Sequence, residues 1–446
     1  MKDLTGGSIY KNFFVFALPM VMSGVLSQMY QTIDTIIAGK LIGESALGAI
    51  GATSPLLTFV NSFFWGFSSG ISIYVANLFG AKKYFRVKNV LVNNIAILSA
   101  AILLISFLLI VFKEFIFAFL QIDKSILEKT DIYFTVCSAG KVFILLPFAF
   151  VHIMNGIGDS SYPFKMSVLS AVLNIAGNIF TVTVLKMGIL GIAISTVFSS
   201  AVVVFCYFIK LNLCFREMNT VRHKAFFSPH VLKETLQYSV PTTVQQSIMY
   251  FSSMILSPLV NGIGSSATAS YTVIQRVYDI NASVYQNSAK VIGSYTAQCY
   301  GAKKYNKIKK GFKVGILQNL LFFLPILLVC IMFPEFVCNL FFGNKASQEA
   351  VKYSVHFLKF FLIFILFNVF ANACHNFFRG ITCMNALVIA TLLGSVSRII
   401  FSLILTPKLG IYGIFAGWVV SWIADAAFCL IFYFFGKWRK ELKVFQ

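Results

Sequence analysis

The chain has 446 residues, of which 58% are hydrophobic and only 11% charged, with 49 Phe and a mean hydropathy of +0.82. That composition excludes an ordinary soluble domain, in which about a quarter of residues are charged. The formal charge of +21, from 36 Lys and Arg against 15 Asp and Glu, is interpretable only through where the charges fall.

Runs of about twenty apolar residues recur along the chain, and at ~1.5 Å per residue each crosses a hydrocarbon core of ~30 Å. The predicted spans, in order, are 13–38, 46–78, 90–112, 131–155, 163–185, 188–212, 236–262, 270–299, 314–334, 350–377, 384–406 and 411–436. Barrel strands would be shorter and would alternate in polarity. The first run is longer than a signal-peptide core and contains Pro19 and Asp34, so it is read as span one rather than as a cleaved leader. The expected fold class is an all-α integral membrane protein of twelve transmembrane helices.

With the N-terminus inside, most Lys and Arg fall in cytoplasmic segments. Among them are Lys82, Lys83, Arg86 and Lys88, and the group Lys303, Lys304, Lys307, Lys309, Lys310 and Lys313. This is the positive-inside pattern. It predicts a multi-pass protein of the cytoplasmic membrane with both termini cytoplasmic, the lipid bilayer as its partner and no nucleic acid. The nine Cys lie mostly in apolar runs without metal-ligand spacing and read as small apolar residues.

The pentapeptide Gly80-Ala81-Lys82-Lys83-Tyr84 recurs as Gly301-Ala302-Lys303-Lys304-Tyr305, 221 residues later. At nearly the same offset Pro19 matches Pro241, Ile42-Gly43 matches Ile263-Gly264, and Gly188, Gly191 and Ser199 match Gly410, Gly413 and Ser421. The chain therefore reads as a duplication. An N-lobe of six spans (1–215) and a C-lobe of six (236–446) are joined by a cytoplasmic linker (216–235), in which Ser228-Pro229 would start a short interfacial helix. An even number of spans per half gives both copies one orientation, related by a pseudo-two-fold axis along the membrane normal, an arrangement suited to alternating access.

Of the acidic residues, only Asp34, Asp279 and Asp425 lie well inside spans. A charge at mid-membrane costs about 2.5–3.5 kcal/mol on insertion scales, so each needs a partner or a task. Asp279 follows Arg276 by three residues on one helical face, which suggests an ion pair. For Asp425 the candidate cation is Arg398, one span away. These four residues are read as structural ion pairs or as lining of a substrate cavity.

Asp34 has no basic neighbour at helical spacing within its span. It lies nine residues from the turn near residue 43, and Asn178 and Thr196 each lie nine from the turn near residue 187, so all three stand at about one depth, ~13 Å from the turns. Asn174 is one turn from Asn178. One carboxylate, two amides and a hydroxyl could hold Na+ or keep a proton on Asp34. The same amides and hydroxyl could equally be interhelical hydrogen-bond glue. His375 shows no acidic companion or ligand set, so neither a zinc site nor a proton relay is read there.

The motifs together resemble the multidrug and toxic compound extrusion (MATE) family, particularly its DinF-like prokaryotic branch. They are Ala17-Leu18-Pro19, Thr32-Ile33-Asp34-Thr35, Gly39-Lys40-Leu41-Ile42-Gly43, Gly80-Ala81-Lys82-Lys83, Asn155-Gly156-Ile157-Gly158-Asp159 with Pro163, and Gly191-Ile192-Ala193-Ile194-Ser195-Thr196. In the second half Ala297-Gln298 and Arg379-Gly380 fit as well. The resemblance implies two six-helix lobes and efflux of small organic, often cationic compounds by antiport with H+ or Na+, without a cofactor, by a monomer that is not an enzyme. It also implies a cation site at Asp34, Asn174, Asn178 and Thr196, with no metal beyond Na+. Relatives commonly carry Asp where this chain has Asn178. The C-lobe acids of another branch are replaced here by Met249 and Asn368.

A rival reading, a lipid-linked oligosaccharide or lipid flippase of the same wider superfamily, draws on the membrane-buried cations Lys141, Lys290, Lys359, Arg276 and Arg398. A major-facilitator transporter would show an acidic-basic loop signature after span two. A membrane enzyme would need convergent acid, base or metal groups. The sequence displays neither.

Overall fold

The computed structural model describes residues 3–120, 122–220, 228–342, 347–436 and 438–439. Among them nearly every residue is helical and no strand occurs. Among the described residues nine helices are long and apolar enough to cross a bilayer, and Lys124–Ala139 with Lys141–Gly156, bent by 50°, makes a tenth span if counted as one. The helices Pro229–Asn261 and Ser265–Gly301, of 33 and 37 residues, have the length to cross but a more polar make-up. These account for the twelve predicted spans.

The helices run α1 (Ile9–Ile37), α2 (Glu44–Gly80), α3 (Tyr84–Val111), α4 (Lys113–Phe119), α5 (Lys124–Ala139), α6 (Lys141–Gly156), α7 (Ser161–Ile179) and α8 (Ile189–Glu217). Then follow α9 (Pro229–Asn261), α10 (Ser265–Gly301), α11 (Tyr305–Met332), α12 (Pro334–Asn339), α13 (Gln348–His356), α14 (Ile365–Gly380), α15 (Met384–Leu409) and α16 (Ile411–Phe435). Asp123 caps α5 by accepting from the Ser125 N–H at 2.7 Å, and hydrogen bonding by the Ser125 side chain, then by its N–H, holds the carboxyl below the usual range.

The duplication is visible helix by helix. α2 and α10 each have 37 residues, and α3 and α11 each have 28. Lys82 and Lys303 both adopt φ 58°. Around each, the helix closes with the equivalent bond, Lys83 N–H to Leu78 O and Lys304 N–H to Cys299 O, both at 2.9 Å. Gly188 and Gly410 open the last helix of each half with φ 58° and 57°, a region in which a side chain is strained.

Two compact units divide the described chain. One holds residues 22–239, the other residues 3–21 and 240–446. Two helices therefore contribute to both units, α1 near Pro19 and α9 near its repeat mate Pro241. Each proline removes one helical hydrogen bond at that point. The predicted interfacial helix is not a separate element, because α9 runs unbroken from Pro229 into the seventh span. Residues 221–227 of the predicted linker lie outside the described residues.

The first unit packs α2, α3, α6 and α8 around Ile71, Val75, Leu91, Phe150, Ile153 and Tyr207, with the Phe150 and Tyr207 rings stacked at 5.1 Å. In the second unit the segment 3–21 is tied down: Leu4 N–H donates to Gln298 Oε1 at 2.9 Å, and Gln318 Nε2 donates to the Phe13 carbonyl at 3.2 Å. The Gly of two sequence motifs allows close helix contact. A Cβ on Gly156 would meet the Ser72 carbonyl at 2.7 Å, and one on Gly380 would meet Thr296 Cβ at 2.5 Å.

Candidate cation site

α7 and α8 approach closely because small residues line their seam. A Cβ on Gly191 would lie 2.6 Å from Thr181 Oγ1, and one on Gly177 would lie 3.0 Å from Ser195 Oγ. Thr181 sits in the π-helical turn Phe180–Val184 that ends α7, a turn type that recurs at functional sites. This contact sets Thr196 of α8 against Asn174 of α7.

Asp34 of α1 meets them within the first unit. Asn178 Nδ2 donates to Asp34 Oδ1 at 2.7 Å. Asn174 reaches the same carboxylate: with its Nδ2 turned toward Asp34 it donates to Oδ1 at 2.5 Å and Oδ2 at 3.3 Å, and its own Oδ1 accepts from Thr196 Oγ1 at 3.3 Å. With the amide turned the other way, Asn174 Nδ2 donates to Thr196 Oγ1 and Asn174 Oδ1 accepts from Asn178 Nδ2, both at 3.3 Å. Its oxygen then faces Asp34, which suits a protonated carboxyl or a cation held between the two oxygens. The two orientations of the Asn174 amide thus match two different charge states of Asp34.

Asn174 and Asn178 are buried, 2% and 0% exposed, while Asp34 and Thr196 are half-buried. No Lys or Arg is ion-paired with Asp34 among the described residues. Asn178 Oδ1 is buried with no donor among them. Carboxylate, amide and hydroxyl oxygens around one negative charge fit a hard monovalent cation. They fit a proton as well, since either neutralises the buried carboxylate. The four residues chosen from sequence are therefore brought together.

Sequence reasoning missed Tyr133 and Cys137 of α5, which are close enough to Asp34 for electrostatic interaction. Their positions, one helical turn apart, were the available signal, but nothing in the sequence says which face of α5 meets α1. Lys141, noted only as a buried cation, is 2% exposed and neighbours Cys137.

The second unit departs from the expected ion pairs. Asp279 accepts from Gln275 Nε2 at 3.0 Å, and no ion pair joins it to Arg276, which is exposed. Asp425 pairs not with Arg398 but with His375, whose Nε2 lies 2.9 Å from its Oδ1. Cys429 Sγ donates to the same oxygen at 3.5 Å. The physical reason is helix rotation: α14 and α16 turn His375 and Asp425 toward each other, whereas Arg398 faces Trp418, with its guanidinium carbon 4.5 Å from the ring centroid. His375 thus has the acidic companion that the sequence did not reveal. Arg379 of the Arg379-Gly380 motif is buried, donating from Nη2 to Gln245 Oε1.

A polytopic helical protein built from two repeated sets of membrane-spanning helices, with an oxygen-rich acid site buried in the first unit, is a transporter in architecture rather than an enzyme. The family model MatE matches residues 19–180 and 241–404. The chain belongs to the MatE family of transporters.

Among curated proteins it is 26% identical to the probable multidrug resistance protein YoeA of Bacillus subtilis over 353 residues, covering 76% of this chain and 75% of that one. It is 22% identical to the multidrug export protein MepA of Staphylococcus aureus over 363 residues, covering 81% and 79%. Among solved structures, a MATE transporter in complex with MaL6 matches at TM-score 0.88 and 21% identity, covering 99% and 98%. VcmN, a MATE transporter of Vibrio cholerae, matches at 0.89 and 18%, covering 98% and 97%. These structural matches establish the fold.

Proposed function

We propose that this protein exports small organic compounds, often cationic, across the cytoplasmic membrane by antiport with H+ or Na+, acting as a monomer with both termini cytoplasmic. The names record probable multidrug resistance for YoeA and multidrug export for MepA. The observation that carries the antiport reading here is Asp34. It is a membrane-embedded carboxylate without a basic ion-pair partner among the described residues, held by two asparagine amides beside the donor-less Asn178 Oδ1. The neutral groups that hold it can re-pair when its charge is neutralised.

In the proposed cycle a cation or proton entering down its gradient neutralises Asp34. The Asn174 amide turns to match, and the resulting change in helix packing favours substrate release on the outer side. The ion leaves toward the cytoplasm and the carboxylate recovers its amide donors.

The test is transport in proteoliposomes with H+ and Na+ gradients imposed separately. Asp34→Asn is expected to lose gradient-driven export by about tenfold or more while still folding, since an amide oxygen can accept from Asn178. Full transport by Asp34→Asn would overturn the assignment.

A further inference from the structure

In the second unit two buried donors lack an acceptor at one place. The Trp418 indole Nε1 and the Arg398 guanidinium Nε are both buried with no hydrogen-bond partner among the described residues. Trp418 is only 3% exposed, and Arg398 lies against its ring. The other guanidinium nitrogens reach only neutral oxygens: Nη1 donates to Ser253 Oγ at 3.2 Å and Nη2 to the Tyr271 hydroxyl at 3.3 Å. No carboxylate is ion-paired with Arg398 among the described residues. Indole and guanidinium are donors only, so neither can satisfy the other.

Arg398 stands near the middle of α15, far from the headgroup depth at either end of that helix. A cation in that position carries a large desolvation penalty unless an anion answers it. The surroundings are aromatic. Tyr271, Tyr278 and Trp422 lie 5.8, 5.2 and 5.9 Å from Trp418, ring to ring. Tyr271, Tyr278 and Arg398 are half-buried, so part of each is open to an incoming group.

We propose that Arg398 and the Trp418 indole form an acid-recognition site, at which the carboxylate of a flat aromatic compound accepts from both donors while its rings lie against Tyr271 and Tyr278. The charge requirement points to an acid rather than a neutral carbonyl, and the rings point to a planar body. Arg398 is then a specificity-determining residue. The inference rests on the export reading and names a substrate class for it.

The test uses a rhodamine with a free carboxylate and its ethyl ester, which share the same ring system. In the full-length protein, Trp fluorescence titration is expected to show the acid binding about tenfold more tightly than the ester, as befits a charge-assisted pair. Arg398→Gln is expected to abolish that preference by weakening the acid far more than the ester, and Arg398→Lys to retain most of it. Equal affinity for the two dyes in the wild-type protein would overturn the proposal, even if Arg398→Gln does not fold. A loss of affinity for both dyes alike in Arg398→Gln would also overturn it, since that marks a structural residue. Gradient-driven export of the ester without preference for the acid sinks this inference and leaves the export reading standing. Export of neither dye sinks both.

Discussion

Asn178 gives its amide hydrogen to the Asp34 carboxylate across 2.7 Å, joining positions 144 residues apart in the chain. The bond places a neutral donor where an acid would make a second carboxylate. The first unit thus holds its buried charge with one carboxylate, a condition under which a single monovalent cation or proton suffices for neutrality.

Asn178→Asp would place two carboxylates at one site, and like charges this close favour retention of a cation. Na+ affinity measured by isotope binding to purified protein is expected to rise by about tenfold. An unchanged affinity would show that Asn178 does not face the ion.

The His375–Asp425 pair ties α14 to α16, with side chains 6% and 15% exposed. Asp425→Ala leaves a buried imidazole without its partner and is expected to destabilise the protein by about 3–5 kcal/mol. Replacing both residues by Leu should cost much less than either single loss. Thermal unfolding in detergent distinguishes the two cases, and a double variant as weak as the single ones would argue against a simple ion pair.

Gly191→Ala forces a methyl to within 2.6 Å of Thr181 Oγ1. Overpacking of this kind costs about 1–3 kcal/mol, and it displaces the helix that carries Thr196, so both stability and cation affinity should fall. Gly51→Ala is the control: its Cβ meets nothing within 4 Å in the third turn of α2. There the substitution should be neutral or stabilising by up to about 1 kcal/mol. Melting curves of the two variants give the comparison directly.

Gly188→Ala places a side chain at φ 58°, ψ −135° with open space around it. The penalty is backbone strain, expected at about 1–3 kcal/mol. The same value at Gly410→Ala would show that the two halves share one turn. A negligible loss at either position would mean that the backbone can relax there.

Much of the architecture was legible along the chain. Hydropathy marks most of the spans, because burying backbone polar groups in lipid demands an apolar helix long enough to cross, while α9 and α10 stand out by length alone. The repeat was legible because Gly-Ala-Lys-Lys-Tyr encodes a helix end whose φ is positive at Lys82 and again at Lys303. Asp34 stood out as the acid without a basic neighbour, and depth counting from the turns placed Asn178 and Thr196 beside it, because rise per residue is a property of the helix itself.

Which side chains meet across helices was decided by the tertiary structure. Each residue step turns a helix by about 100°, so small differences in rotation exchange one partner for another. Hence Asp425 received His375 rather than Arg398, Asp279 received Gln275 rather than Arg276, and Arg398 was turned onto Trp418. The passage of α1 and α9 from one unit to the other beside Pro19 and Pro241 was equally absent from the linear pattern. Sequence set the helices, their depth and their solitary acid; packing chose the neighbours, because contact between helices depends on rotation and tilt that no local periodicity records.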